Sequence, residues 1–383
     1  MSTENGQVRP QHSPDGDGPV IAVTGAASGV GRLLVERLRA AAGSGGVARV
    51  VGIDAAPAGE DGSEPFPQGG GVEWCAADIR DPLVASRLAG VDVLVHTEAE
   101  RSADASHRER RAAAVRAAQT LLTAAAAARV SRVVLVTSTM VYGAAPDNPV
   151  PLSEDGEVAV EGGVGLVGDF AEVEDLARKA RRAHPGLSVT VVRPAPLVGP
   201  ELDTVLTRHF AAPRLISVKG TEQRWQFCHV DDLAGALELV AVRGLDGKEG
   251  ALAVGCDGSL GQEEAEEIAG LRRFEVPANL AFGATQRLHR AGITPASAGE
   301  LKFLVYPCVV DCATLREAGW RPSYTNAEAL RALLEARGGK HALVGRTLGR
   351  KEATITAASA AGAAVAAIGT AAAVRHLRKR RRG

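Results

Sequence analysis

Hydrophobic positions fall along the chain in short β-branched runs, separated by stretches in which Ala, Leu and Arg recur at helical spacing. The runs are VIAVTG from Val20, VARVVGID from Val47, VEWCAAD from Val72, VDVLVHT from Val91, SRVVLVTST from Ser131 and LSVTVVRP from Leu187. Between them lie GRLLVERLRAAA, DPLVASRLAG, the long ERRAAAVRAAQTLLTAAAAARV and AEVEDLARKARRA. Near-continuous apolar strands spaced by helices predict a parallel sheet covered on both faces. Residues 19–200 therefore read as a doubly wound α/β (Rossmann) domain.

Past Pro200 the rhythm loosens. QFCHV and ALAVGC predict further strands, and helices are expected around Asp231–Val242, Gly261–Leu271 and Asn326–Arg337. Residues 201–345 are expected to form a smaller mixed cap on the substrate side, with late strands and helices returning to the first sheet. No internal repeat is present.

Both ends differ from this body. Residues 1–18 are polar, rich in Pro and Gly and without an apolar core, which reads as a disordered leader and not a signal peptide. Residues 346–383 contain 22 uncharged positions, Ala353 to Val374, followed by RHLRKRRRG. That length would span a bilayer, but Ala, Gly, Ser and Thr give little apolar driving force. A span with the basic end inside would also export the whole Rossmann domain. Three readings stay open: a flexible or weakly helical tail, a peripheral or hairpin-like membrane contact helped by six Lys/Arg, and a tail anchor.

Composition excludes more than it suggests. The formal net charge of −1 gives no global field toward nucleic acid or an acidic partner. Aromatics are scarce at 3%, while Ala and Gly are abundant. Of the five cysteines, Cys308 and Cys312 have the wrong spacing for a zinc knuckle and no His pair beside them. No metal is expected, and buried thiols in a reducing cytoplasm account for all five.

The first run carries chemistry. VIAVTGAASGVGR places a glycine-rich turn between a strand and a helix, with Gly25, Ser28, Gly29, Val30 and Gly31 in it. Gly25 allows the tight turn, and Gly29 and Gly31 remove side chains where backbone must approach a pyrophosphate. The next strand ends in Asp54, where an acid can accept hydrogen bonds from an adenosine ribose. An acid there favours NAD over NADP, whose 2′-phosphate it would repel. A glycine-rich turn serving another ligand is the bland alternative.

The order TGAASGVG, GID, AADIRDP, VDVLVHTEA, TSTMVYG, VVRPAPLVGP and QFCHVDDLAGA resembles the extended short-chain dehydrogenase/reductase family. That family includes NAD-dependent nucleotide-sugar epimerases and dehydratases, and the similarity runs from Val20 to Arg337. The resemblance implies that Asp78 and Ile79 contact the adenine and that the strand ending at His96 passes beneath the cofactor. It places Arg193 and Pro194 near the nicotinamide, and His229, Val230 and Asp231 on the substrate-side cap. Arg224 and Trp225 fall where family members contact the substrate's nucleotide, although packing is an equal alternative for Trp225. Departures are Ser28, where extended members carry glycine, and Thr97, Glu98 and Ala99 in place of the usual Ala-Ala.

The catalytic pair departs further. The resemblance implies a Tyr hydroxyl that carries the proton during hydride transfer, a Lys four residues on, and a Ser or Thr that orients the substrate oxygen. Ser138, four before Tyr142 in TSTMVYG, fills the last role. The chain's three tyrosines are followed four residues later by Pro146, Val310 and Glu328, so no Tyr-x-x-x-Lys exists. Alignment through AEVE puts Leu166 and Phe170 at the expected positions.

Three explanations compete: an NAD(H) binder or sensor that does not turn substrate over, an enzyme with a rearranged relay, and a structural protein with a vestigial site. A rearranged relay would draw on Ser138, Tyr142, Asp169, Glu98 or His96. The non-catalytic binder leads, with a nucleoside-diphosphate sugar as its expected ligand. The other partners considered are a membrane surface touched peripherally through 353–383 and a second copy of the chain. HRERR (His107 to Arg111) and EEAEE (Glu263 to Glu267) read as solvated helix faces, and RHLRKRRR is poor evidence for nucleic acid. The expected compartment is the cytoplasm or the membrane periphery.

Overall fold

Seven strands form one sheet with every neighbouring pair parallel in the computed structural model, which describes residues 18–27, 29–55, 72–97, 106–159, 165–200, 202–290 and 298–347. Six are the predicted runs: β1 (Val20–Thr24), β2 (Arg49–Asp54), β3 (Val72–Ala76), β4 (Val93–His96), β5 (Arg132–Val136) and β6 (Ser188–Pro194). The seventh, Ala251–Val254, comes from ALAVGC and pairs with β6. The order is β3-β2-β1-β4-β5-β6 followed by Ala251–Val254. It reverses between β1 and β4, so the carboxyl ends of the strands part there and leave a crevice.

Alternation along the strands fills two separate cores. On one face Ile21, Val23, Val95, Val134 and Leu252 meet Leu34, Val35 and Leu38 of α1 (Gly29–Gly43) and Leu233, Leu237 and Val240 of helix Val230–Arg243. On the other, Ala22, Ile53, Leu94, Leu135 and Val191 meet Leu121 and Ala125 of one helix and Val173 and Ala177 of a later one. Each fully buried Leu or Val contributes about 1.5–3 kcal/mol, so both faces must be covered. The helices on this second face are α2 (His107–Arg111), α3 (Ala117–Ala127) and α4 (Leu166–Ala183).

The cap has its own core of Phe210, Leu215, Trp225, Phe227, Leu301 and Leu330. It is built on a parallel pair, Leu215–Val218 with Arg273–Val276, and an antiparallel pair, Arg224–Trp225 with Leu260–Gly261. Helices Gln262–Ala269, Ala278–Arg290 and Ala298–Val305 surround these pairs.

Four elements differ from the sequence expectation. DPLVASRLAG is a 3-10 turn over Pro82–Leu88, because Asp81 caps it at Leu83 N and Gly90 (φ 73°) ends it after two turns. The long Ala-rich helix is interrupted by a π-turn, Ala112–Arg116, and Arg111 just before it reaches across to α4. QFCHV contributes only Cys228–His229, paired with Leu197–Val198, because His229 already caps the next helix. The last helix, Asn326–Thr347, outruns the expected Arg337.

Residues 1–17 of the leader, Ser28, Glu98 and the Ala-rich and basic tail beyond Thr347 lie outside the described residues. Among the described residues, no helix is long and apolar enough to cross a membrane.

Candidate functional site

The chain leaves β1 through Gly25 (φ 68°) and enters α1 at Gly29 (φ 51°), both in the left-handed region that glycine tolerates. A Cβ on Gly31 would fall on the Gly25 carbonyl oxygen and 2.8 Å from Thr97 Oγ1, whereas nothing lies within 4 Å of one on Gly29. Gly31 thus lets the helix close on the turn, and Gly29 leaves its outer side open. Free N–H groups and the positive end of the α1 dipole accompany that opening, beginning with Val30.

Asp54 is tied to this turn from the end of β2. Its Oδ2 accepts from Ala27 N (3.0 Å) and its Oδ1 from Ala55 N (2.7 Å). At the crevice, Thr97 Oγ1 donates to Thr24 O (2.8 Å) and His96 Nδ1 lies 2.7 Å from Thr24 Oγ1. These bonds lock the end of β4 to the end of β1. Beyond β3, Asp78 accepts from Arg80 N, Nε and Nη2, each at 2.9 Å, and the guanidinium holds its carboxyl below the usual range. Ile79 beside it is buried.

Ser138 follows β5 by two residues and caps the 3-10 turn Thr139–Tyr142, accepting from Met140 N at 3.2 Å. Against that turn packs the start of α4. Phe170 is 1% exposed, in a cluster with Val141, Tyr142, Ala253, Val310 and Cys312, and Leu166 packs at its edge. One helical turn on, Glu174 receives Arg193 through Nε (3.0 Å) and Nη2 (2.5 Å) and Thr137 Oγ1 at 2.9 Å. Burial opposes the charge of Arg193, but Glu174 outweighs it and raises the pKa above the ordinary value.

Arg193 Nη1 also donates to the Tyr142 hydroxyl (2.8 Å), which donates in turn to the Glu154 carbonyl (2.5 Å). Burial pushes the Tyr142 phenol up to about 12 in spite of the guanidinium. Asp169 is fully buried 3.5 Å from Arg111 Nη1, and Arg111 grips Glu172 at 2.6 and 2.7 Å. Cys308 Sγ donates to Thr139 O, and burial pushes that thiol up to about 12.

On the cap side, Trp225 is 3% exposed, stacked parallel to Phe227 and edge-on to Phe210. Its Nε1 donates to Gln262 Oε1 at 2.9 Å. His229 is also buried, stacked on Tyr324 with ring centroids 3.9 Å apart, and its Nδ1 accepts from Asp231 N. Burial holds its pKa below the usual value against the pull of Asp231.

Residues 21–255 match the NAD dependent epimerase/dehydratase family. The chain belongs to that family. Its curated relatives include an uncharacterized protein of Mycobacterium tuberculosis, 33% identical over 331 residues, covering 83% of this chain and 84% of the relative. Another is the 4-hydroxy-2-methyl-3-oxo-4-farnesyl-3,4-dihydroquinoline-1-oxide ketoreductase of Stigmatella aurantiaca, 27% identical, covering 82% and 95%. Among solved structures, dTDP-glucose 4,6-dehydratase DesIV of Streptomyces venezuelae with NAD bound is similar at TM-score 0.61 and 22% identity, covering 85% and 98%. MoeE5 in complex with UDP-glucose and NAD is similar at TM-score 0.59 and 23% identity, covering 84% and 99%. At these identities the structures share the fold.

The family is NAD-dependent, and the donor set of this member fits that cofactor: open backbone at Gly29, a helix N-terminus and the anchored Asp54. The strand ends bring together Gly25, Gly29, Val30, Gly31 and Asp54, with Asp78 and Ile79 following β3, the next strand outward. Arg193 and Pro194 end β6, but the Arg193 guanidinium is turned into the Glu174–Tyr142 network. Trp225 takes the packing alternative, and His229 acts as a helix cap. Sequence reasoning missed Glu174, Glu154 and Cys308. Glu174 carried a signal, since it stands four residues after Phe170 on the same helical face; the other two meet the Ser138 turn only through the fold.

Proposed function

We propose that this family member binds NAD(H) and, in the cleft between sheet and cap, a nucleoside-diphosphate sugar that it does not turn over. The turn of Gly25, Ser28, Gly29, Val30 and Gly31 cradles the pyrophosphate, Asp54 takes the adenosine ribose, and Asp78 and Ile79 meet the adenine. Arg193 and Pro194 close the nicotinamide end through the β6 backbone. Bound NAD supplies a hydride acceptor. Among the described residues, Ser138 supplies a hydroxyl whose hydrogen bonds go to Met140 N and Pro194 O and to no titrating group.

The observation that carries this reading is Phe170, buried in an apolar cluster at the position that alignment through AEVE gives to the family's lysine. Two further features support it: the Tyr142 proton is committed to the Glu154 carbonyl, and Asp169 is buried beside Arg111. The sugar-nucleotide class rests on the fold, whose solved examples include complexes with UDP-glucose. A second reading, a reductase with a rearranged relay, is favoured by the Stigmatella aurantiaca relative, which is a ketoreductase.

Purified protein should carry or bind NAD(H), bind UDP- or dTDP-sugars, and show no change in nicotinamide absorbance with them. Absence of NAD binding would overturn both readings. Turnover that disappears in Ser138→Ala or His96→Ala would establish the reductase. The same reading includes cytoplasmic residence, a homodimer, and peripheral membrane contact through residues 353–383. Truncation before Glu352 tests the last: unchanged membrane fractionation removes it.

A further inference from the structure

Thr97 stands where the ends of β1 and β4 meet the start of α1. It follows β4 as Gly25 follows β1, and the two strands pair in parallel with Thr24 opposite His96. Its Oγ1 donates to Thr24 O at 2.8 Å. Thr97 is 8% exposed and Thr24 fully buried, so this bond lies inside the protein. The contact of Thr24 Oγ1 with His96 Nδ1 (2.7 Å) ties the same strand ends a second time.

The carbonyl that Thr97 holds belongs to the peptide leading into Gly25 (φ 68°). That peptide is planar, so the direction of its C=O fixes the plane from which the glycine turn departs. The same hydroxyl oxygen meets the far end of the turn, 2.8 Å from the place that a Cβ on Gly31 would take. One oxygen therefore touches the turn both where it leaves β1 and where α1 closes on it. A methyl could not replace it, because carbon needs about 3.3–3.6 Å from a carbonyl oxygen. The strand ends would have to part by several tenths of an ångström.

The turn carries the open backbone at Gly29 and the free N–H groups that begin with Val30. The adenosine-side groups have anchors of their own: Asp54 at the end of β2 through Ala55 N, and Asp78 beyond β3 through Arg80. We propose that Thr97 is a positioning residue for the cofactor's pyrophosphate, its hydroxyl setting the angle at which the glycine turn presents its N–H groups. This role rests on the NAD(H)-binding reading of the turn, and Thr97 acts through Thr24 and Gly31. The β-branched side chain adds a restricted χ1, which keeps the hydroxyl aimed at Thr24 O.

The test compares the full chain with Thr97→Val, Thr97→Ala and Thr97→Ser. Calorimetry gives the Kd for NAD and ADP-ribose, ligand-observed NMR gives that for adenosine, and urea unfolding shows that each variant is folded. Thr97→Val should weaken NAD and ADP-ribose about tenfold, as expected for one lost buried hydrogen bond, and adenosine by less than about twofold. Thr97→Ala leaves space in place of a crowded methyl, and should show the same pattern even where the valine variant does not fold. Thr97→Ser keeps the donor and should bind NAD within about threefold of the parent. Unchanged NAD affinity without the hydroxyl, an equal loss for adenosine, or a serine variant as weak as the others would each overturn the assignment while NAD binding itself stands. A parent chain that binds neither NAD nor ADP-ribose would overturn the NAD(H) reading together with it.

Discussion

Arg193 at the end of β6 and Glu174 on α4 form a buried two-bond ion pair, with side chains 8% and 4% exposed. It fixes α4 against the sheet at the level of the Ser138 turn. Removing one partner leaves the other charged and buried, so Glu174→Leu and Arg193→Met should each cost about 3–5 kcal/mol in urea unfolding. The double variant should recover most of that loss, because two matched apolar side chains replace a matched pair. Single variants that cost less than about 1 kcal/mol would contradict this role for the pair.

The two glycines of the nucleotide turn should respond differently to alanine. At Gly31 the new Cβ strikes a backbone carbonyl, so Gly31→Ala should cost about 3 kcal/mol and lose NAD binding. At Gly29 only the left-handed φ is at stake, so Gly29→Ala should cost about 1–2 kcal/mol. Thermal denaturation with and without NAD distinguishes the two. Equal losses would mean that contact with Gly25 and Thr97 does not govern the closing of α1.

Asp54→Ala should weaken NAD by about 1.5–3 kcal/mol, the worth of hydrogen bonds to a charged acceptor. It should also admit NADP, since the repelling carboxylate is gone. Calorimetric titration of both cofactors checks it. Unchanged NAD affinity would remove Asp54 from the ribose.

His209 predicts an acid sensitivity. It is fully buried beside Phe210 and Trp225, neither ring nitrogen has a hydrogen-bond partner, and burial pushes its pKa from 6.5 to about 4. Below pH 6.5 the unfolded chain binds a proton that the folded chain refuses. Stability present at neutral pH is therefore lost as pH falls toward 4, by about 3 kcal/mol in total. Between pH 7 and 5, His209→Phe should lose about 2 kcal/mol less than the parent. Parallel slopes in urea titrations would refute it.

Strands such as Val20–Thr24 and Arg132–Val136 were legible because they are buried on both faces and read as unbroken β-branched runs. The glycine turn was legible because its backbone requirement is written in residue type. The fate of Arg193 was not, since a guanidinium at a strand end serves a cofactor or a neighbouring helix equally well until Glu174 is placed beside it. Trp225 was ambiguous for the same reason: Phe210, Phe227 and Gln262 meet it only through the fold.

The helix that covers α1 is Val230–Arg243, and the sheet's edge strand is Ala251–Val254, so both reach the Rossmann core from the far side of the cap segments around residues 205–229. Roughly 190 residues separate α1 from its partner, which at about 5–20 residues per second is some 10–40 seconds of synthesis. During that interval Leu34, Val35 and Leu38 can meet the strands already made, such as Val20–Thr24 and Val93–His96, but lack the cover of Leu233, Leu237 and Val240. The nascent chain is thus most exposed to aggregation and chaperone capture before Arg243 is made, and a ribosome pause upstream of that point should lower soluble yield more than a pause downstream.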